Sequence, residues 1–262
     1  MPKINSNQSF PSCLEQLAAI NWQTSLASPH SAPFAWGIAT GKDADDVLSR
    51  ASHALQVHGR TVLPAANAKS PDKKKETKAR GESIEREWQR PEADGVYSIR
   101  PGEVVAVKTA DCLPILFSAN GPLPFAMAIH AGWRGFCAGI IAEGLDQAAT
   151  NGISPANLSV IIGPAISAHR FEIGPEVLDA LIAHSGPAMA AQFTQKGVAD
   201  RWHADLQTAA AIDLMKHGIK PQNITVVRVC TFESGLPSYR REGKGCGRLV
   251  SWVETRLNNA AT

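Results

Sequence analysis

No stretch of this 262-residue chain approaches the ~20 consecutive apolar residues that a membrane-spanning helix needs, so no membrane partner is expected. The N-terminus, Met-Pro-Lys-Ile-Asn-Ser, lacks the basic-then-apolar order of a secretory leader. No C-x-x-C pair occurs, and the five cysteines (Cys13, Cys112, Cys137, Cys230, Cys246) are odd in number and widely spaced. A disulfide framework is therefore not expected at this size, and a reducing, cytoplasmic location is. Neither sign of charge dominates. The formal net charge is +2, and residues 69–90 alone hold eight Lys/Arg and five Asp/Glu, leaving 18 positive and 19 negative residues elsewhere. A body so close to neutral shows no basic face in its composition, so nucleic acid is not an expected partner. Internal repeats are absent, and so is the strict strand–helix alternation of a doubly wound sheet.

What is present is an ordinary globular composition, 44% hydrophobic, in a chain long enough for a sizeable core. Residues 1–34 read as a polar lead-in and 35–262 as one domain, because no linker interrupts the latter. Residues 42–55 have helical spacing, with Val47, Leu48, Ala51 and Leu55 on one face. Residues 69–91 are rich in charge and poor in large apolar side chains, which marks a solvated insertion. Three apolar runs follow, at 104–107, 113–117 and 125–129, with Gly121 and Pro122 as turn residues before the last. Strands this apolar are buried on both faces. Helices are predicted over 135–150, 175–184 and 204–217, the last closed by Gly218, with a final helix over 249–257. Further strands are predicted over 158–162 and 224–229. The mixture is an α+β pattern.

Polar residues that carry chemistry cluster where the apolar runs break. Gln56-Val57-His58-Gly59, Thr109-Ala110-Asp111-Cys112 and His130-Ala131-Gly132-Trp133-Arg134-Gly135 each offer a soft or borderline metal ligand. A thiolate and two imidazoles suit tetrahedral zinc, and three protein ligands leave a fourth position for water or substrate. The separations, 54 residues from His58 to Cys112 and 18 from Cys112 to His130, are not local knuckle spacings. Unrelated turn, buried and core residues remain an alternative at this point. Asp111 is a candidate ligand-orienting group or general base, or else a cap. Arg134 is a candidate anion binder at a helix start, or a surface ion pair. Trp133 can stack on a planar ring or simply pack. Tyr239, Arg240 and Arg241 in a glycine-rich loop form either a phosphate or carboxylate clamp or a solvated loop. Gln56 joins this substrate-binding group through its place beside His58.

Taken together, QVHG, TADCLPILF, AIHAGWRG, IGPAIS with FEIG, CTF and SYRREG with GR resemble, in that order, the YfiH-like family. This family is also called the polyphenol oxidase or laccase-domain family, and FAMIN is its human relative. The resemblance runs from about Ala35 to the C-terminus. It implies a single α+β domain of mixed sheets flanked by helices, in an α/β/β/α arrangement related to bacterial toxin cysteine deamidases. It implies zinc on His58, Cys112 and His130. It further implies a purine nucleoside enzyme that uses phosphate: phosphorolysis of adenosine, inosine, guanosine or methylthioadenosine, and deamination of adenosine. The chain is expected to act as a monomer. Some bacterial members resemble peptidoglycan editing factors, which keeps a Cys–His amidohydrolase as the alternative, with Cys112 as nucleophile. In the phosphorylase reading Asp111 shuttles the proton and Arg134 or Arg240 positions phosphate. Copper is the lesser expectation, since a multicopper site needs many more histidines. Three departures from the family bear on substrate rather than metal. They are Ser49-Arg50 in place of Asn-Arg, an abbreviated glycine-rich segment around residues 38–42, and the longer loop at 69–91.

Overall fold

The computed structural model describes residues 17–23, 35–68, 90–119 and 124–254. Most of the polar lead-in, the charged insertion over 69–89 and the Gly121-Pro122 turn lie outside the described residues.

Seven strands make the central sheet: β1 (Asn21–Gln23), β3 (Val62–Pro64), β4 (Gly95–Ser98), β6 (Leu113–Ala119), β7 (Phe125–Ala131), β8 (Ser159–Ile162) and β12 (Ile224–Val227). Their order is β1-β12-β8-β6-β7-β4-β3, antiparallel from β8 through β4 and parallel at both margins. Every residue of β6 and β7 is buried, as expected of strands covered on both faces. Alternation along the strands divides their side chains between two cores. Leu113, Ile115 and Phe117 of β6, with Phe125, Met127 and Ile129 of β7, pack under helices α4 (Ile140–Thr150) and α7 (Leu206–Lys216). Leu116, Ala126 and Ala128 point the other way.

On that side lies a second, antiparallel sheet, β2 (Ala35–Ala39), β13 (Leu249–Glu254) and β5 (Val104–Thr109), in the order β2-β13-β5. Trp36, Val105, Val107 and Val253 meet Leu116, Ala126, Ala128 and Ile161 between the two sheets. Helix α1 (Gly41–Arg50) covers the outer face, setting Ala44 and Val47 on Ala106 and Val250. The layers are therefore α/β/β/α, as the resemblance implied. Shorter elements complete the chain: α2 (Ala65–Ala68), α3 (Trp133–Cys137), α5 (Pro175–Ser185), α6 (Pro187–Ala190) and α8 (Tyr239–Glu242), with a small sheet β10-β11-β9 (Thr194–Lys196, Trp202–Ala204, Glu172–Ile173).

Four expectations change. Residues 249–254 form a strand, not a helix: Leu249, Ser251 and Val253 turn inward while Val250 and Trp252 turn toward α1, a two-residue period. The helix expected over 135–150 is two helices, broken at Gly139, whose φ of 86° is open to glycine at little cost. The helix expected over 42–55 stops at Arg50, because Ser52 bonds to Val104 and Ala106 as an added extended segment beside β5. Within the lead-in, Asn21–Gln23 is an edge strand on β12.

The packing of α4 on β7 leaves no spare volume. A Cβ on Gly144 would stand 2.6 Å from Ile129 Cδ1 and 3.0 Å from Met127 Cε. Gly144→Val should destabilise the fold by about 1–3 kcal/mol through overpacking, read as a lowered Tm. An unchanged Tm would show that this interface is loose.

Candidate metal centre

Strand register brings three distant residues to one end of the layer between the two sheets. The β6–β7 pairing sets Pro114 opposite His130, which carries the Cys112 turn to the end of β7. The β4–β7 pairing sets Gly95 opposite Ile129, so the preceding Asp94 reaches His130. The His130 amide donates to the Asp94 carbonyl at 2.7 Å, and the His130 Nδ1–H donates to Asp94 Oδ1 at 2.7 Å. The same carboxylate accepts from the amides of His58 (2.9 Å), Gly59 (2.7 Å) and Val57 (3.2 Å). Asp94 is wholly shielded from solvent. It fixes the His130 ring with Nε2 free for a ligand bond, and it holds the His58 loop in place.

The donor atoms of His58, Cys112 and His130 all lie within 4.8 Å of one another. The two imidazoles meet edge to face, 77° apart. A tetrahedral zinc with bonds of ~2.0–2.3 Å sets its ligands roughly 3.3–3.8 Å apart, a small adjustment from this arrangement. Space is reserved for the cluster. A Cβ on Gly132 would meet Cys112 Sγ and His58 Cδ2, each at 3.0 Å, and one on Gly135 would stand 2.7 Å from the Gly59 carbonyl. His58 (φ 61°) and Asp111 (φ 84°) both adopt the left-handed region that side chains avoid, so strain is concentrated at the centre.

The electrostatics follow from burial set against hydrogen bonds. Burial pushes the Cys112 thiol up, but hydrogen bonds with His130 and His58 outweigh it and bring the pKa from 9.0 down to about 7. Burial pushes His130 down, but Asp94 and Cys112 reverse this and raise it to about 9. Burial pushes Asp94 up, and the His130 bond with the Gly59 and Val57 amides carries it below its usual range. Without metal, the centre is poised as a thiolate beside an imidazolium.

The other candidate residues sit around this centre in more structural settings. Both oxygens of Asp111 are engaged, Oδ1 accepting from Thr231 Oγ1 and Oδ2 from the Arg240 amide, each at 2.6 Å. Gln56 bonds through its whole amide to the backbone of Lys108, at 2.7 and 2.8 Å. The Arg240 guanidinium donates to the carbonyls of Arg170 and Glu172. That of Arg241 donates to the carbonyls of Thr231, Phe232 and Leu236 and pairs with Glu242. Trp133 packs on the core beneath α3, while Arg134 is exposed and stacks over the Trp133 ring at 4.3 Å. Tyr239 is half exposed. Sequence reasoning missed Asp94. Its only local signal is an Asp-Gly step before a strand, which reads equally as a turn.

A four-layer α+β domain with a His-Cys-His cluster at the sheet ends defines a candidate metalloenzyme. The sequence matches, over residues 43–256, the family described as multi-copper polyphenol oxidoreductase laccase, and the chain belongs to that family. It is 41% identical over 163 residues to the purine nucleoside phosphorylase YfiH of Escherichia coli (strain K12), covering 62% of this chain and 63% of that protein. It is 38% identical over 166 residues to the purine nucleoside phosphorylase PA4543 of Pseudomonas aeruginosa, covering 62% and 64%. The chain thus spans somewhat under two thirds of the length of these relatives. Among solved structures, Neisseria meningitidis protein NMB0706 matches with a TM-score of 0.66 at 27% identity, over 82% of this chain and 79% of that one. YlmD from Geobacillus stearothermophilus matches with a TM-score of 0.66 at 25% identity, over 80% and 75%.

Two outcomes check this geometry. Asp94→Asn removes the charge behind His130 and places an amide group against the Val57 and Gly59 amides; metal affinity measured by chelator competition should fall about 10–100-fold. In metal-free protein, thiolate is present above its pKa and lost below it. Alkylation of Cys112, located by mass spectrometry, should therefore be half-maximal near pH 7, and a midpoint near 9 would contradict the His58–Cys112–His130 contacts.

Proposed function

We propose that this chain is a zinc-dependent purine nucleoside phosphorylase acting on adenosine, inosine, guanosine or methylthioadenosine, with adenosine deamination at the same centre. The observation that carries the reading is the convergence of His58, Cys112 and His130 around one point, with Asp94 behind His130. One thiolate with two imidazoles suits zinc and falls short of a multicopper set. Gly132 makes room for two of these ligands, since a Cβ there would stand 3.0 Å from both Cys112 Sγ and His58 Cδ2. Zinc held there supplies a Lewis acid beside the substrate.

The protein's own groups do the rest. His58, Cys112 and His130 would hold the ion, whose Lewis acidity would then be available to the reactants. Trp133 and Tyr239 offer aromatic faces to a purine. Arg134, exposed and stacked over the Trp133 ring, is the candidate anion binder. Asp111 ties Thr231 and the Arg240 turn to the Cys112 turn, and its carboxylate is the group that shuttles the proton to the leaving purine. Arg240 and Arg241 shape the loop that faces the substrate. The relatives named as purine nucleoside phosphorylases support this reading, and the reaction suits a reducing cytoplasm in which Cys112 stays reduced.

A second reading has its own observation. Without metal, Cys112, His130 and Asp94 form a thiolate–imidazolium–carboxylate chain, the arrangement of a cysteine amidohydrolase.

The test is hypoxanthine release from inosine with and without inorganic phosphate, before and after chelation, alongside ammonia release from adenosine. Phosphate-dependent cleavage that is lost on chelation and restored by zinc is expected. Cys112→Ser should lower kcat/KM at least ~100-fold. Metal-stripped protein that cleaves no nucleoside but hydrolyses amide substrates, with an acyl-enzyme trapped on Cys112, would favour the amidohydrolase.

A further inference from the structure

Three basic side chains stand together at one end of the β2-β13-β5 sheet, and no ion pair among the described residues involves them. Extended segments lie side by side there. The Leu55 amide donates to the Pro91 carbonyl, the Gln56 side chain clasps the backbone of Lys108, and Lys108 pairs across β5–β13 with Val250. Directly opposed residues share a face, so Lys108 lies with Val250 on the α1 side of the sheet, and Arg248, two residues from Val250, is its diagonal neighbour. Arg90 precedes Pro91 on the far side of the same row.

Lys108 is half-buried, and only its backbone is bonded. Arg248 spends one nitrogen on the Cys246 and Gly247 carbonyls and the Cys246 sulfur, all neutral groups. Arg90 is exposed, with no ion pair among the described residues. The acids of α1, Asp43, Asp45 and Asp46, are exposed, since Ala44 and Val47 face the sheet. The row shows the strain of like charges. Lys108 is held below the usual lysine range by burial and by Arg90 and Arg248, and the buried His53 is pushed down to about 4 by burial, Arg90 and Lys108. Such a cluster is unfavourable by itself and stable with an anion.

We propose that Arg90, Lys108 and Arg248 form an oxyanion subsite that takes the phosphate of the reaction. The inference rests on the phosphorylase reading and says where its second substrate docks. Arg240 and Arg241 spend their guanidinium groups on carbonyls and are poorly placed to do this. The row also adjoins the metal centre in the chain: Gln56 stands two residues before His58, and Lys108 four before Cys112. The ligand chemistry is a tetrahedral dianion, free or carried as a phosphomonoester.

The test uses the whole protein, zinc-loaded and zinc-stripped, with Lys108→Gln, Arg248→Gln and the double variant. Calorimetric titration with inorganic phosphate should show one site, weakened about tenfold by each substitution and about 100-fold by both. In phosphate-free buffer the variants should melt above the wild type, because repulsion is relieved, and phosphate should raise the Tm of the wild type alone. A merely structural role would lower the Tm instead. In turnover, KM for phosphate should rise while KM for the nucleoside stays level. A nucleoside monophosphate that displaces phosphate and binds more tightly identifies the phosphomonoester as the source; weaker binding identifies the free ion. A double variant that binds phosphate like the wild type overturns the proposal. Phosphate binding that depends on these residues in a protein that cleaves no nucleoside leaves the subsite standing and removes the phosphorylase reading.

Discussion

The carboxylate of Asp94 is the junction on which the centre depends. It lies buried at the start of β4 and accepts from four groups: the His130 ring and the amides of Val57, His58 and Gly59. These donors belong to two segments more than 70 residues apart in the chain. A buried carboxylate without partners would cost several kcal/mol, and this one is fully satisfied only when both segments are in place. Its saturation therefore couples the closing of the His58 loop to the orientation of His130.

Around that junction the chain is shaped by exclusion as much as by attraction. Gly132 is small because Cys112 and His58 occupy the space its side chain would take, and Gly135 because the Gly59 carbonyl passes beneath it. The glycines of the His130–Gly135 segment are thus a consequence of three chain segments converging at close range. The same economy explains the positive φ of His58 and Asp111. Each is held by bonds to its own groups, His58 through its amide and Asp111 through both carboxylate oxygens. These strained turns aim the ligands at one point and leave the regular strands undisturbed.

Much of this was legible in the sequence, unevenly. The continuous apolar runs of β6 and β7 announced strands buried on both faces, and the ligand residues stood out because polar side chains appear where those runs end. The four-layer order came from the motif resemblance rather than from periodicity. Short strands misled: Leu249–Glu254 alternates over only six residues, too few to separate two-fold from helical spacing. Asp94 was invisible because its importance lies in cross-strand register, which no local window contains. The loop arginines Arg240 and Arg241 looked like a clamp because sequence shows a charge and hides what it bonds. In the structure carbonyl oxygens hold them, while Lys108, which has no ion pair among the described residues, carries no motif signal of its own.

The central claim is that one ion is held by one sulfur and two ring nitrogens with a position to spare. X-ray absorption at the zinc edge of the purified holoprotein measures this most directly. The account predicts one zinc per chain with a single sulfur neighbour near 2.3 Å and two imidazole nitrogens near 2.0–2.1 Å, completed by one light exchangeable atom. A spectrum with no sulfur neighbour, or with four protein ligands, would contradict it.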